Sequence, residues 1–173
     1  GEGHGTKAVV LGAGPVGLLG AMALIVRGFE TFVYSRDRAD SPAASWCARI
    51  GATYVSSSEL TPVQLAQRIG NIGLVYEATG AASISFETLA VLGTNGVFVF
   101  TGVPGHKAPI QIDADLLMRN LVLKNQLVFG TVNAGADAFA NAISDLARFH
   151  ARWPDELQAL ITGRFQPAAA IDL

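Results

Sequence analysis

The chain of 173 residues contains a single cysteine, Cys47, so no disulfide can close within it. A lone thiol is the usage of a reducing compartment, and a cytoplasmic location is expected. Charge is sparse, at 15% of residues, and nearly balanced, with 12 Lys and Arg against 14 Asp and Glu. A basic excess or stripe is missing, which argues against a nucleic-acid partner. Long apolar runs are missing too. The longest, around Leu18 to Val26, ends at Arg27, whereas a spanning helix needs roughly 20 apolar residues. No membrane segment is expected. The opening Gly1-Glu2-Gly3-His4-Gly5 has neither the basic nor the apolar block of a signal peptide. Residues 1–6 are expected to be a linker or cloning scar, and residues 7–173 one domain.

Metal-ligand spacing is also absent. Cys47, His4, His106 and His150 stand far apart in the chain, while a catalytic zinc usually takes three protein ligands. No metal is assigned. Cys47, beside Trp46 in an apolar helix, reads as a small core residue. His150 reads as a surface residue late in a helix, and His106 as solvated in a glycine-rich loop.

What is abundant is apolar residues, at 50%, and glycine, with 19. Such a chain can bury enough apolar surface to offset its ordering entropy. Short β-branched runs alternate with helical stretches. Strands are expected at Lys7 to Leu11, Thr31 to Ser35, Thr53 to Val55, Leu74 to Ala78, Gly96 to Thr101 and Leu127 to Gly130. Helices are expected between them. Pro15 to Arg27 is apolar nearly all round and closed by Gly28. Ser41 caps a helix with Pro42 at its first position, and Gly51 ends it. Thr61-Pro62 opens another, running to about Ile69. Ala81 to Leu92, Asp113 to Asn120, Ala136 to Trp153 and Pro154 to Thr162 complete the set. Six strands with connections long enough for crossovers imply an α/β Rossmann fold: a six-stranded parallel, doubly wound sheet with helices on both faces. The closing Pro167 to Leu173 stops where a further strand could begin.

Gly12-Ala13-Gly14-Pro15-Val16-Gly17 follows the first strand and opens the first helix. In that setting each glycine has a physical task. Gly12 permits the tight turn, Gly14 lets the backbone approach a pyrophosphate, and Gly17 lets helix and strand pack closely. The helix N-terminus offers unpaired N–H groups and a positive dipole end to phosphates. Pro15 costs little there, because its missing N–H would be orphaned anyway.

About 20 residues further on, a cofactor with a free ribose 2′-hydroxyl expects an acidic residue at the end of the second strand. That point reads Tyr34-Ser35-Arg36-Asp37-Arg38. Ser35 can hydrogen-bond a 2′-phosphate, Arg36 can pair with it, and Arg38 can assist from the rim. This favours NADP(H). A register slip would instead put Asp37 on the ribose and favour NAD(H), so both remain open.

The order of motifs resembles the coenzyme domain of medium-chain, zinc-type dehydrogenases. It runs from the glycine loop through Tyr34-Ser35-Arg36 and Tyr76-Glu77-Ala78-Thr79-Gly80 to Gly96 through Pro104. The stretch Asp113 to Asn133, with Gly130-Thr131-Val132-Asn133 the most discriminating part, is similar to the archaeal-type glucose dehydrogenase branch. That resemblance implies an NADP(H)-binding domain, NAD(H) in some members, with zinc and an aldose sugar held by a catalytic domain outside this chain. It implies cofactor contacts from Thr79, Gly80, Gly102, Val103, Pro104, Val132 and Asn133, and a sugar contact from Asn133. Glu77, late in its strand, could face the site but reads first as salt-bridged or solvated. The complete protein is expected to oxidise the C1 hydroxyl of an aldose and to be a homo-oligomer, while this chain alone is expected to bind cofactor without turnover. Another polyol or alcohol dehydrogenase, or a non-catalytic dinucleotide sensor, are the alternatives. The positions four after Tyr34, Tyr54 and Tyr76 are Arg38, Ser58 and Gly80, which excludes the Tyr-x-x-x-Lys chemistry of short-chain dehydrogenases. A Gly-x-Ser-x-Gly nucleophile elbow is absent as well.

Overall fold

The structure, a computed structural model, describes residues 5–105 and 108–166. His4, His106 and the closing residues 167–173 therefore lie outside the described residues. Strands and helices alternate: β1 (Lys7–Leu11), α1 (Pro15–Ile25), β2 (Glu30–Ser35), α2 (Pro42–Ile50), β3 (Thr53–Ser56), α3 (Pro62–Ile69), β4 (Ile72–Glu77), α4 (Ala82–Ala90), β5 (Val97–Phe100), α5 (Ala114–Leu123), β6 (Leu127–Gly130), α6 (Ala136–Arg152) and α7 (Pro154–Ala159). The six strands form one sheet in the order β3-β2-β1-β4-β5-β6. Every pairing is parallel. The chain winds outward in one direction from β1 and in the other from β4. The switch point between those two strands is where open sheets of this kind leave a crevice at their carboxyl ends.

Side chains alternate across β1 and separate the two cores. Val9 and Leu11 join Phe32, Tyr34, Val75 and Phe98 on one face, under Leu65 and Ile69 of α3 and Leu89 of α4. Val10 and Val33 face the other way, against Leu18, Ala21 and Met22 of α1, Trp46, Cys47 and Ile50 of α2, and Phe149 of α6. Helices thus pack on both faces of the sheet around β1, as the centre of a parallel sheet requires.

Local chemistry sets the helix ends. Ser41 Oγ accepts from the Ala44 N–H at 3.2 Å, and Gly51 ends α2 at φ 88. Thr61 and Gln64 form a reciprocal capping box on α3. Asp113 accepts from the Leu116 N–H at 2.9 Å and starts α5. At α1 the expected end is corrected. The helix stops at Ile25, and residues 26–28 form a turn in which Gly28, at φ 84, donates to the Ile25 carbonyl at 3.0 Å. The bulk of Gly28's role survives, because only a left-handed residue turns the chain back into β2. No helix among the described residues is long and apolar enough to cross a membrane.

Candidate dinucleotide cleft

The carboxyl ends of β1, β2 and β4 open onto a cleft of about 710 Å³. Its walls bring together five of the residues singled out from sequence: Gly12, Gly14, Ser35, Arg36 and Thr79. Asp37, the residue on which the NAD(H) alternative rests, lines the same cleft.

The glycine loop forms one wall. Gly12 sits at φ 104, and its N–H donates to the Tyr34 carbonyl at 2.9 Å. A Cβ there would meet Thr79 Cγ2 at 2.9 Å, so the loop leans directly on the turn after β4. A Cβ on Gly17 would lie 2.2 Å from the Gly12 carbonyl oxygen, which is why helix and loop can approach so closely. Gly14 is different: nothing lies within 4 Å of the Cβ it lacks. Its open side faces the cleft, and no side chain caps the α1 N-terminus that it begins. The first N–H groups of α1 are left for an outside acceptor. Pro15 occupies the first helical position and Val16 is 58% exposed; neither lines the cleft.

The end of β2 forms the second wall. β3 holds it in place: the Ser57 N–H donates to the Ser35 carbonyl at 2.8 Å, and the Tyr54 hydroxyl donates to the Asp37 carbonyl at 3.0 Å. Arg36 is exposed and has no ion-pair partner among the described residues. Arg38 has turned away. It pairs with Asp40 at 3.1 Å and does not line the cleft. Tyr34 is buried and its hydroxyl donates to the Leu60 carbonyl at 2.7 Å. Burial, and after it the negative charge of Glu87, raise its phenol above the ordinary value.

The third wall was less legible. Ser57, Ala81, Ser83, Ile84 and Glu87 also line the cleft, and none was singled out from sequence. Ala81 is the N-cap of α4, and Ser83, Ile84 and Glu87 lie along it. Ser83 donates to Glu87 at 2.7 Å.

The reading of Glu77 as salt-bridged or solvated is overturned. It is 1% exposed. Its Oε1 accepts from the Thr79 N–H and hydroxyl, each at 2.6 Å, and from the Gly80 N–H at 2.8 Å. Its Oε2 accepts from the Gly102 N–H at 3.1 Å. Backbone donors supplied after β4 and after β5 satisfy the carboxylate, and no cation is needed. Gly80 and Gly102 pack against one another around it. A Cβ on Gly102 would lie 2.1 Å from the Gly80 nitrogen, and a Cβ on Gly80 would lie 2.7 Å from the Val103 carbonyl oxygen. Neither glycine lines the cleft. Val103 and Val132 are each 77% exposed, and Pro104 and Asn133 are exposed beside them at the ends of β5 and β6.

Cys47 is fully buried, and burial pushes its thiol up to about 12. His150 is exposed. Among the described residues, no group of three or more His, Cys, Asp or Glu could hold a metal ion.

Strand order, crossover helices and a glycine turn at the switch point define a Rossmann domain of the dehydrogenase type. The chain belongs to the glucose dehydrogenase C-terminus family, whose model matches residues 3–171. It is 30% identical over 158 residues to a glucose 1-dehydrogenase of Methanocella arvoryzae, covering 91% of this chain and 44% of that one. It is 36% identical over 157 residues to glucose 1-dehydrogenase 2 of Vulcanisaeta moutnovskia, covering 91% and 43%. Among solved structures, Haloferax mediterranei glucose dehydrogenase in complex with NADP, Zn and gluconolactone superposes with a TM-score of 0.77 at 28% identity, over 83% of this chain and 41% of that one. The chain thus spans less than half the length of the relatives it matches.

Proposed function

We propose that this chain is the coenzyme-binding part of an NADP-dependent glucose 1-dehydrogenase. The observation that carries the reading is one cleft, at the switch point, that combines an uncapped helix behind Gly14 with Ser35 and the exposed Arg36. Family membership supplies the reaction. The named activity of the Methanocella and Vulcanisaeta relatives, and the ligands of the Haloferax structure, agree with it.

In this reading the pyrophosphate lies over Gly12 and Gly14. The α1 N-terminus donates N–H groups to it, and no Cβ obstructs the approach. The adenosine half lies between the end of β2 and the start of α4. Ser35 and Arg36 bind a 2′-phosphate there. The nicotinamide half extends along the exposed ends of β5 and β6, where Val103, Pro104, Val132 and Asn133 stand, with Asn133 also reaching the sugar. Gly80 and Gly102 serve by close packing beneath these groups. When bound, NADP+ supplies the hydride acceptor for oxidation of an aldose C1 hydroxyl to a lactone. The described residues do not fit a zinc ion, so metal ligation is assigned to the part of the protein outside this chain. The complete protein is read as a cytoplasmic homo-oligomer.

The test is Gly14→Asp. Open space around the Gly14 Cβ position predicts a folded variant, and a carboxylate facing the pyrophosphate predicts loss of NADPH binding. Circular dichroism reports the fold and calorimetric titration the binding. Unchanged NADPH affinity in a folded variant overturns the assignment of the phosphate loop.

A further inference from the structure

We infer that Glu77 is a positioning residue that sets the nicotinamide end of the cleft against the phosphate end. The inference rests on the cofactor reading above and extends it to a residue that does not line the cleft. Glu77 ends β4, the strand at the switch point, in register with Leu11 of β1 on one side and Phe100 of β5 on the other. Its carboxylate is therefore placed to hold the turns that follow β4 and β5.

The connections are specific. Oε1 gathers the Thr79 N–H, the Thr79 hydroxyl and the Gly80 N–H. Thr79, so held, presents Cγ2 to Gly12 of the phosphate loop, in the space a Cβ would need. Oε2 takes the Gly102 N–H at 3.1 Å. The backbone carbonyl of Glu77 takes the Thr101 hydroxyl at 2.7 Å and the Thr101 N–H at 3.0 Å. One residue thus fixes the β4 turn through one oxygen and the β5 turn through the other. Binding the two halves of one dinucleotide at once requires those turns at a set separation. Binding only the adenosine half does not. A carboxylate suits the position because every neighbour is a donor.

Glu77→Gln separates the two tasks. Its single oxygen stays with the three donors of the β4 turn, and its amide nitrogen then faces the Gly102 N–H, donor against donor. The side-chain tie to the β5 turn is lost and that turn is left on the Glu77 backbone carbonyl alone, while the adenosine side stays formed. The experiment titrates wild type and Glu77→Gln with 2′,5′-ADP, an adenosine-half probe, and with NADPH. The expected result is 2′,5′-ADP affinity within about twofold of wild type and NADPH affinity reduced about tenfold or more. An equal fall for both probes, or no fall for either, overturns the positioning role. Failure of wild type to bind either probe overturns the cofactor reading instead, so the two failures are distinct. Should Glu77→Gln not fold, amide exchange in wild type decides. Exchange at Gly102 slowed by NADPH but not by 2′,5′-ADP supports the inference, and exchange unchanged by NADPH, or slowed equally by both, overturns it.

Discussion

Cys47 shows how burial decides the chemistry of a residue. It lies on α2 with no exposed surface, packed in the core formed with Trp46, Ile50, Met22 and Phe149. A thiol reacts as the thiolate, and burial pushes this one up to about 12. Alkylation of the folded chain at pH 8 is therefore expected to be at least about a hundredfold slower than alkylation in denaturant. The same shift has a consequence for stability. The unfolded thiol ionises near pH 9 and the folded one only near 12, so the folded state holds the extra proton between them. Stability contributed by the buried thiol is present below pH 9 and is lost as pH rises toward 12. Mass spectrometry of the alkylated chain, with and without denaturant, checks the reactivity. Equal rates would contradict the buried placement.

The role of Cys47 was legible because a single thiol beside tryptophan in an apolar helix has few other uses. Glu77 was not. Apart from the Thr79 hydroxyl, its partners are backbone N–H groups two, three and 25 residues on, and no residue type marks a backbone donor. Only the register of β4 against β5 brings Gly102 to it. For the same reason the close packing of Gly80 against Gly102, whose missing side chains make room for one another, was not legible. Arg38 shows the converse limit. It has the right charge at nearly the right place, yet it stands outside the cleft in an exposed pair with Asp40.

Among the elements, Ser41, Thr61 and Asp113 announced their helices, because a capping oxygen acts within three residues of its own position. The glycine turn was equally local. Gly17 is the element-scale test of it. A methyl there would sit 2.2 Å from the Gly12 carbonyl oxygen and 3.5 Å from Val10. The first contact is backbone and cannot rotate away. Gly17→Ala is expected to push α1 off β1, to destabilise the chain by about 2 kcal/mol or more, and to weaken NADPH binding together with stability. Thermal unfolding and titration of one sample check both. A variant with unchanged melting temperature would contradict the close approach. The start of α4 could not be read in this way. Ser83, Ile84 and Glu87 reach the cleft only because β4 lies next to β1, a non-local pairing that composition does not express.

At the scale of the whole molecule, the doubly wound sheet was legible because β-branched runs and helical stretches alternate with long connections. What was not legible is how unevenly the sheet is covered. β1 is buried on both faces, whereas β4 is only half-buried at Leu74 and Tyr76, α5 has no buried residue and α6 buries only Phe149. Phe139, Ile143, Met118 and Val122 are each more than 60% exposed along this flank. The chain spans less than half the length of its relatives, and in the proposed reading the adenosine half lies against Ser35 and Arg36, which line the cleft. Cofactor preference is therefore a property that this chain should carry by itself.

The most direct test is calorimetric titration of the chain with NADPH and with NADH at one fixed salt concentration. A hydrogen-bonded charge contributes about 1.5–3 kcal/mol, so the account predicts NADPH tighter by about tenfold or more. It also predicts that Arg36→Ala removes most of that difference while leaving NADH binding nearly unchanged. Equal or tighter binding of NADH, with Arg36→Ala having no effect on NADPH, would contradict the account and move ribose recognition to Asp37.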